Sequence, residues 1–253
     1  MHGIICVILI SGVVSIVSAQ CTVPVRVTGQ RVDVTKALGV WHEYRHYDFT
    51  PTGPYDITQD PTSYNLLMNA TNIGGNPAPV GNGGDRTYAV TWMYNGQQPG
   101  AAASDPLSCV AIWQVGNYST DGRRVVKVQF DSVPPDNGIL DFVYTNLYTD
   151  YNLVQVLYRC NTPNANGVTC DDPYAWVLTR VKPPQLTTAQ KQYIEAVANY
   201  YIPPVVCNKF KFADMAPTKW DLSKTGPPCN VADNQPPMST QFRALIPIKW
   251  AGA

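Results

Sequence analysis

Between Val40 and Arg180 the chain breaks into about eight short runs rich in β-branched and aromatic residues, each closed by Gly, Pro, Asn or Asp. That punctuation constrains the fold more than any other feature, because strands so short, each followed by a turn or loop, bury a face by pairing with their neighbours in sequence. The runs fall near 40–49, 62–70, 86–95, 108–117, 123–131, 139–148, 152–160 and 173–180. Asp121-Gly122 is a hairpin signal between two of them, and Asp136-Asn137-Gly138 is another after the Pro134-Pro135 break. Residues 71–85 and 96–106 are long connections too polar to form core. The expected fold is all-β, an eight-stranded up-and-down antiparallel barrel.

Past Arg180 the pattern changes period. Pro183-Pro184 stops the last strand, Thr187-Thr188 can cap a helix, and 188–201 carries Ala189, Tyr193, Val197 and Tyr200 near helical spacing with Ile194 alongside. That stripe predicts one C-terminal α-helix packed on the outside of the barrel. Pro203-Pro204 ends it, and 208–253 reads as an irregular, proline-rich C-terminal extension with too little apolar periodicity for a second core.

Residues 1–19 read as a signal peptide, with an apolar stretch from Ile4 to Val17 and the small residues of Val17-Ser18-Ala19 at the cleavage site. The expected product is secreted and extracellular, with no later segment apolar enough to span a bilayer. Of seven cysteines Cys6 leaves with the signal. The remaining six imply three disulfides, for which sequence alone allows about 15 connectivities. Asn69-Ala70-Thr71 and Asn117-Tyr118-Ser119 are glycosylation sequons at Asn69 and Asn117. The net charge is zero and there is no basic block, which argues against nucleic acid or an acidic membrane surface as partner.

Three short signals in fixed order carry a family likeness: Gly39-Val40-Trp41 on the first strand, Thr149-Asp150-Tyr151 in the turn between the sixth and seventh, and Arg180 after the eighth. With the helix that follows, they make residues 20–207 resemble the lipocalins, in particular the group of apolipoprotein D, insecticyanin, bilin-binding protein and crustacyanin. The resemblance implies that Gly39, Trp41, Thr149, Asp150, Tyr151 and Arg180 are structural. Trp41 would close the barrel floor, with the Arg180 guanidinium stacked on its indole and donating to nearby carbonyls. The same resemblance implies a Cys21–Cys160 bridge and ties Cys207 back to the barrel wall, with Cys109 as its partner. Cys170 and Cys229 would then pin the extension across the last hairpin.

Catalytic chemistry is sparse. Outside the signal only His42 and His46 remain. Four apart on a regular strand, their Cα atoms would be ~13 Å apart and both would face outward, opposite Trp41, so no metal site is expected. No nucleophile elbow, phosphate-binding glycine loop or histidine-centred triad can be assembled, and an enzyme is not expected. Aromatic surface is plentiful, with fifteen tyrosines and six tryptophans. Strand alternation offers Glu43, Arg45 and Tyr47 on the Trp41 face, Tyr88, Trp92 and Tyr94 on the third strand, Trp113 on the fourth, and Phe142 and Tyr144 on the sixth as candidate ligand-binding residues. Ordinary core packing is the competing role for each.

The function expected is binding and transport or storage of a small hydrophobic ligand. No cofactor is required, and the resemblance points to a biliverdin-like tetrapyrrole or a carotenoid as bound pigment. A lipid- or retinoid-modifying enzyme on the same barrel and a ligand-free extracellular interaction or defence protein are the alternatives. The sequence leaves a homo-oligomer open.

Overall fold

The computed structural model describes residues 23–48, 64–74, 87–96, 108–118, 123–130, 140–203 and 212–221. After a one-turn helix α1 (Val34–Ala37) come eight long strands: β1 (Gly39–Asp48), β2 (Tyr64–Gly74), β3 (Thr87–Gly96), β4 (Ser108–Tyr118), β5 (Arg123–Phe130), β6 (Leu140–Thr149), β7 (Val154–Pro163) and β8 (Cys170–Thr179). Helix α2 (Thr188–Tyr201) and a two-residue strand β9 (Ala216–Pro217) follow. Every strand pairing is antiparallel, and from β2 to β8 each strand pairs with the next in sequence. β1 pairs with β8 along one edge and with β2 along the other.

The β1–β2 register is short, running from Gly39 opposite Ala70 to His42 opposite Leu67. Beyond His42 that edge of β1 is taken by the C-terminal extension. β9 places Pro217 opposite Arg45 and Ala216 opposite His46, and the Thr218 amide donates to the Tyr44 carbonyl. The same segment meets β2 on its other side: the Asn65 amide donates to the Lys219 carbonyl at 2.8 Å, and Asn65 and Asp221 exchange two further hydrogen bonds. Residues 216–221 thus lie between β1 and β2, which the extension's composition did not foretell.

One sheet face packs against α2. Val154, Val156 and Tyr158 of β7, Ala175 and Val177 of β8 and Leu147 of β6 form a core with Ile194, Ala198 and Ile202, joined by Phe212 and Met215. The helix begins at a capping box in which Thr187 and Gln190 satisfy each other's backbone N–H groups. Its buried stripe differs from the one expected. Ile194 and Ala198 are buried, continued by Ile202, whereas Ala189 is exposed and Tyr193 and Tyr200 are 42% and 73% exposed. The i, i+4 ladder of small and branched residues takes this face, and Tyr193 and Tyr200 stay at its exposed rim. Tyr148 bridges to the rim of that face, its hydroxyl 3.0 Å from that of Tyr193 and its ring stacked on Tyr201.

Among the described residues one disulfide is present, Cys160–Cys170, with Cα atoms 5.7 Å apart. It corrects two expected bridges, Cys21–Cys160 and Cys170–Cys229. The β7–β8 hairpin sets Cys160 opposite Pro173 and Cys170 opposite Pro163, with register shifts at Thr162 that draw the cysteines together. Cys21, Cys207, Cys229 and the side chain of Cys109 lie outside the described residues, as do the signal segment and the Asn69 and Asn117 side chains. No helix among the described residues is long and apolar enough to cross a membrane.

Candidate functional site

At one end of the sheet the three short signals meet. Thr149 and Asp150 build the β6–β7 turn: Asp150 Oδ1 accepts from the amides of Asn152, Leu153 and Val154 at 2.8–3.0 Å, and the Thr149 hydroxyl donates to the Val154 carbonyl while accepting from the Tyr151 amide. This locks Tyr151 at φ 64°, turning its carbonyl toward Arg180. The Arg180 guanidinium lies 3.8 Å from the centre of the Trp41 ring and donates to the carbonyls of Tyr151, Val40 and Lys36 at 3.1, 3.0 and 2.8 Å. The Trp41 indole donates to the Ala37 carbonyl at 2.9 Å. The last carbonyls of α1, which have no partner inside so short a helix, are thereby satisfied. Gly39 sits at φ 93°, and a Cβ there would lie 3.3 Å from an Arg180 nitrogen, which accounts for glycine two residues before the tryptophan.

Beyond this end, the face turned away from α2 carries cross-strand rows. Tyr144, Arg159 and Tyr174 form one across β6, β7 and β8; Asn146, Leu157, Trp176 and His46 form the next, across β6, β7, β8 and β1; Gln155, Leu178 and Glu43 form the row nearest Trp41. Directly paired residues share a face, so these rows describe one continuous wall. In the upper row the Arg159 guanidinium stands 5.3, 5.0 and 5.3 Å from the ring centres of Tyr144, Tyr174 and Trp176 and donates to the Tyr144 hydroxyl at 3.0 Å. Tyr174 stacks on Trp176 with centroids 5.5 Å apart, and Tyr144 tilts against the same indole at 5.6 Å.

The lower rows are buried and polar. Glu43 is fully buried. Its Oε1 lies 3.0 Å from His46 Nδ1 and accepts from the Thr218 hydroxyl at 2.6 Å, and its backbone carbonyl accepts from the Trp220 indole at 2.7 Å. Gln155 donates to Asn146 at 3.0 Å. Glu43 Oε2, Asn146 Nδ2 and Gln155 Oε1 are buried without a hydrogen-bond partner among the described residues.

A β-bulge between Glu43 and Arg45 redistributes the expected wall residues of β1. Glu43 opposes Leu178, and Tyr44 is the extra residue; Arg45 then opposes Val177, His46 opposes Trp176, and Tyr47 opposes Ala175. Arg45 and Tyr47 therefore fall on the α2 side, where Arg45 lies 4.8 Å from the Phe212 ring centre and donates to the Met215 carbonyl at 2.7 Å. His46, expected to face outward, shares the Glu43 face. The inserted residue inverts the alternation beyond it. His42 keeps the other face, edge-on to the Trp220 ring at 5.4 Å. Burial, and secondarily Lys182, pushes its pKa down to about 4.

Of the expected ligand residues, Glu43 and Tyr144 lie on the wall described above. Trp92 pairs through its backbone with Met68, itself opposite Trp41, but the side chains of Tyr88, Trp92, Tyr94, Trp113 and Phe142 lie outside the described residues. Arg159, Tyr174, Trp176, Asn146 and Gln155 were not named as ligand residues, and His46 was expected to face outward; only the cross-strand register, which no single strand reveals, brings them together. No group of three His, Cys, Asp or Glu among the described residues is arranged to hold a metal.

No family model matches the chain, and no curated protein matches it. Among solved structures it is similar to lipocalins. The cockroach allergen Per a 4 aligns with 78% of this chain and 94% of its own at 13% identity and a TM-score of 0.48. Lobster apocrustacyanin A1 aligns with 79% and 93% at 13% identity and 0.44. Insecticyanin from the tobacco hornworm Manduca sexta aligns with 77% and 89% at 14% identity and 0.45.

Proposed function

We propose that this chain is a secreted, non-enzymatic carrier whose eight long strands close into a calyx for a small hydrophobic ligand, with α2 on its outer surface. The observation that carries the proposal is the aromatic upper row, Tyr144, Tyr174 and Trp176 around Arg159, standing above a floor closed by Trp41 and Arg180. Flat aromatic walls with a few directed polar groups suit a conjugated or elongated apolar molecule. The succession of pairings from β1 through β8 and back to β1 supports closure of the sheet. The Cys160–Cys170 bridge fits an oxidising extracellular compartment.

Within that class the ligand is a pigment, a biliverdin-like tetrapyrrole or a carotenoid, held without covalent change and without a required cofactor. Protein purified from its natural source carries a visible absorption band that solvent extraction removes. A colourless protein whose extract holds no pigment overturns the pigment assignment, and a colourless lipid in that extract leaves the carrier standing. Trp176→Ala, which removes the ring against which Tyr174 and Tyr144 pack, weakens ligand binding by about tenfold or more in a fluorescence titration.

A further inference from the structure

We infer that the deep end of the calyx is a polar subsite for a donor-headed ligand, an amine at the end of an apolar body, with Glu43 as its anchor. The inference rests on the calyx proposed above but not on the pigment assignment: a tetrapyrrole's carboxylates and a carotenoid's lack of N–H donors do not match this end, so a donor-headed ligand stands as the alternative occupant of the same carrier. Glu43 is fully buried on the same face as Trp41, Leu178 and Trp176. Its neighbours, His46 Nδ1 and the Thr218 hydroxyl, both meet one oxygen, Oε1, at 3.0 and 2.6 Å. Two partners on a single oxygen fix the carboxylate rotamer and leave Oε2 as the oxygen without one among the described residues.

The rows beside it carry two more such atoms, Gln155 Oε1 and Asn146 Nδ2. Buried polar atoms are nearly always partnered in folded proteins, so three in adjacent rows mark a place where another molecule's polar group belongs. The set offers two acceptors, one of them on a carboxylate, and one donor. A head group rich in N–H donors matches it, and a carboxylate head would meet Glu43 as a like charge. The apolar body would then rise past Leu157 and Trp176 toward Tyr144 and Tyr174. Thr218, supplied by the C-terminal extension, is a positioning residue that acts through the Glu43 carboxylate.

Three ligands of one chain length, dodecylamine, dodecanol and laurate, separate head group from body when each displaces a neutral naphthalene dye from the full mature protein. The amine is expected to bind at least tenfold tighter than the alcohol and the laurate weakest, consistent with one charge-assisted hydrogen bond. Glu43→Gln, a replacement of matching shape, abolishes the preference for amine over alcohol. Thr218→Val, at the seam rather than in the core, lowers amine affinity about threefold or more and leaves the alcohol unchanged. Equal affinity for all three, or laurate tightest, overturns the inference while the carrier stands. If neither the dye nor any of the three binds, the carrier proposal falls and the subsite with it.

Discussion

Arg180 is bonded to three backbone carbonyls, two of them in residues 36–40 and one in the β6–β7 turn, so its loss leaves those acceptors and one face of Trp41 uncovered together. Arg180→Ala is expected to cost about 3 kcal/mol in a urea melt, and Arg180→Lys to recover only part of it, since an ammonium cannot stack and donate along three directions. His42 supplies a pH signature. Its folded pKa of about 4 lies below the ordinary 6.5, so the unfolded chain takes up the proton first. The stability that this difference contributes is present above pH 6.5 and is lost as pH falls toward 4, with a loss of about 2 kcal/mol. His42→Gln should remove that portion of the acid sensitivity, measured as the difference in unfolding free energy between about pH 7 and about pH 4.5. An unchanged difference would place the sensitivity elsewhere. The residues that set these effects were unevenly legible. Gly39, Trp41, Thr149, Asp150 and Arg180 stand out because turn chemistry and close approach restrict residue type. Arg159 and Trp176 do not, since any half-buried strand can carry them.

The informative irregularities lie within single elements. Alternation along β1 assigns Arg45 and Tyr47 to the ligand side, and one extra residue at Tyr44 reverses the assignment. No composition cue marks the bulge; it follows from how β1 must meet β8 and β9 at once. Arg45→Ala is therefore expected to raise hydrogen exchange at the Met215 and Thr218 amides while leaving ligand affinity within about twofold, because the side chain lies on the α2 face and holds the C-terminal segment. In α2 the helix itself is readable from its cap and period, yet its buried stripe is shifted toward Ile194 and Ala198. Ile194→Ala should cost about 3 kcal/mol and Tyr200→Ala less than about 0.5 kcal/mol, a contrast a stripe through Tyr200 would invert. In the β7–β8 hairpin a non-reducing digest should yield the Cys160 and Cys170 peptides as one linked species. A Cys21–Cys160 peptide would contradict that pairing.

For the whole molecule, strand order was the most legible property, because hairpin connections and period-two runs admit few arrangements once each strand pairs with its neighbour. What the chain does at its seam was not legible. Residues 216–221 pass between β1 and β2 and deliver Thr218 and Trp220 to Glu43, a long-range arrangement that a proline-rich extension does not announce. The result is a sheet with Trp41 and Arg180 stacked at one end and, on the face turned away from α2, an aromatic row beyond polar ones. The central claim is the proposal that this sheet closes around a small apolar molecule. Native mass spectrometry of the protein from its natural source, followed by solvent extraction, tests it most directly. A single adduct per chain, lost on extraction and regained on incubation with the extract, is the predicted result; a ligand-free mass that takes up nothing from apolar extracts would contradict the account.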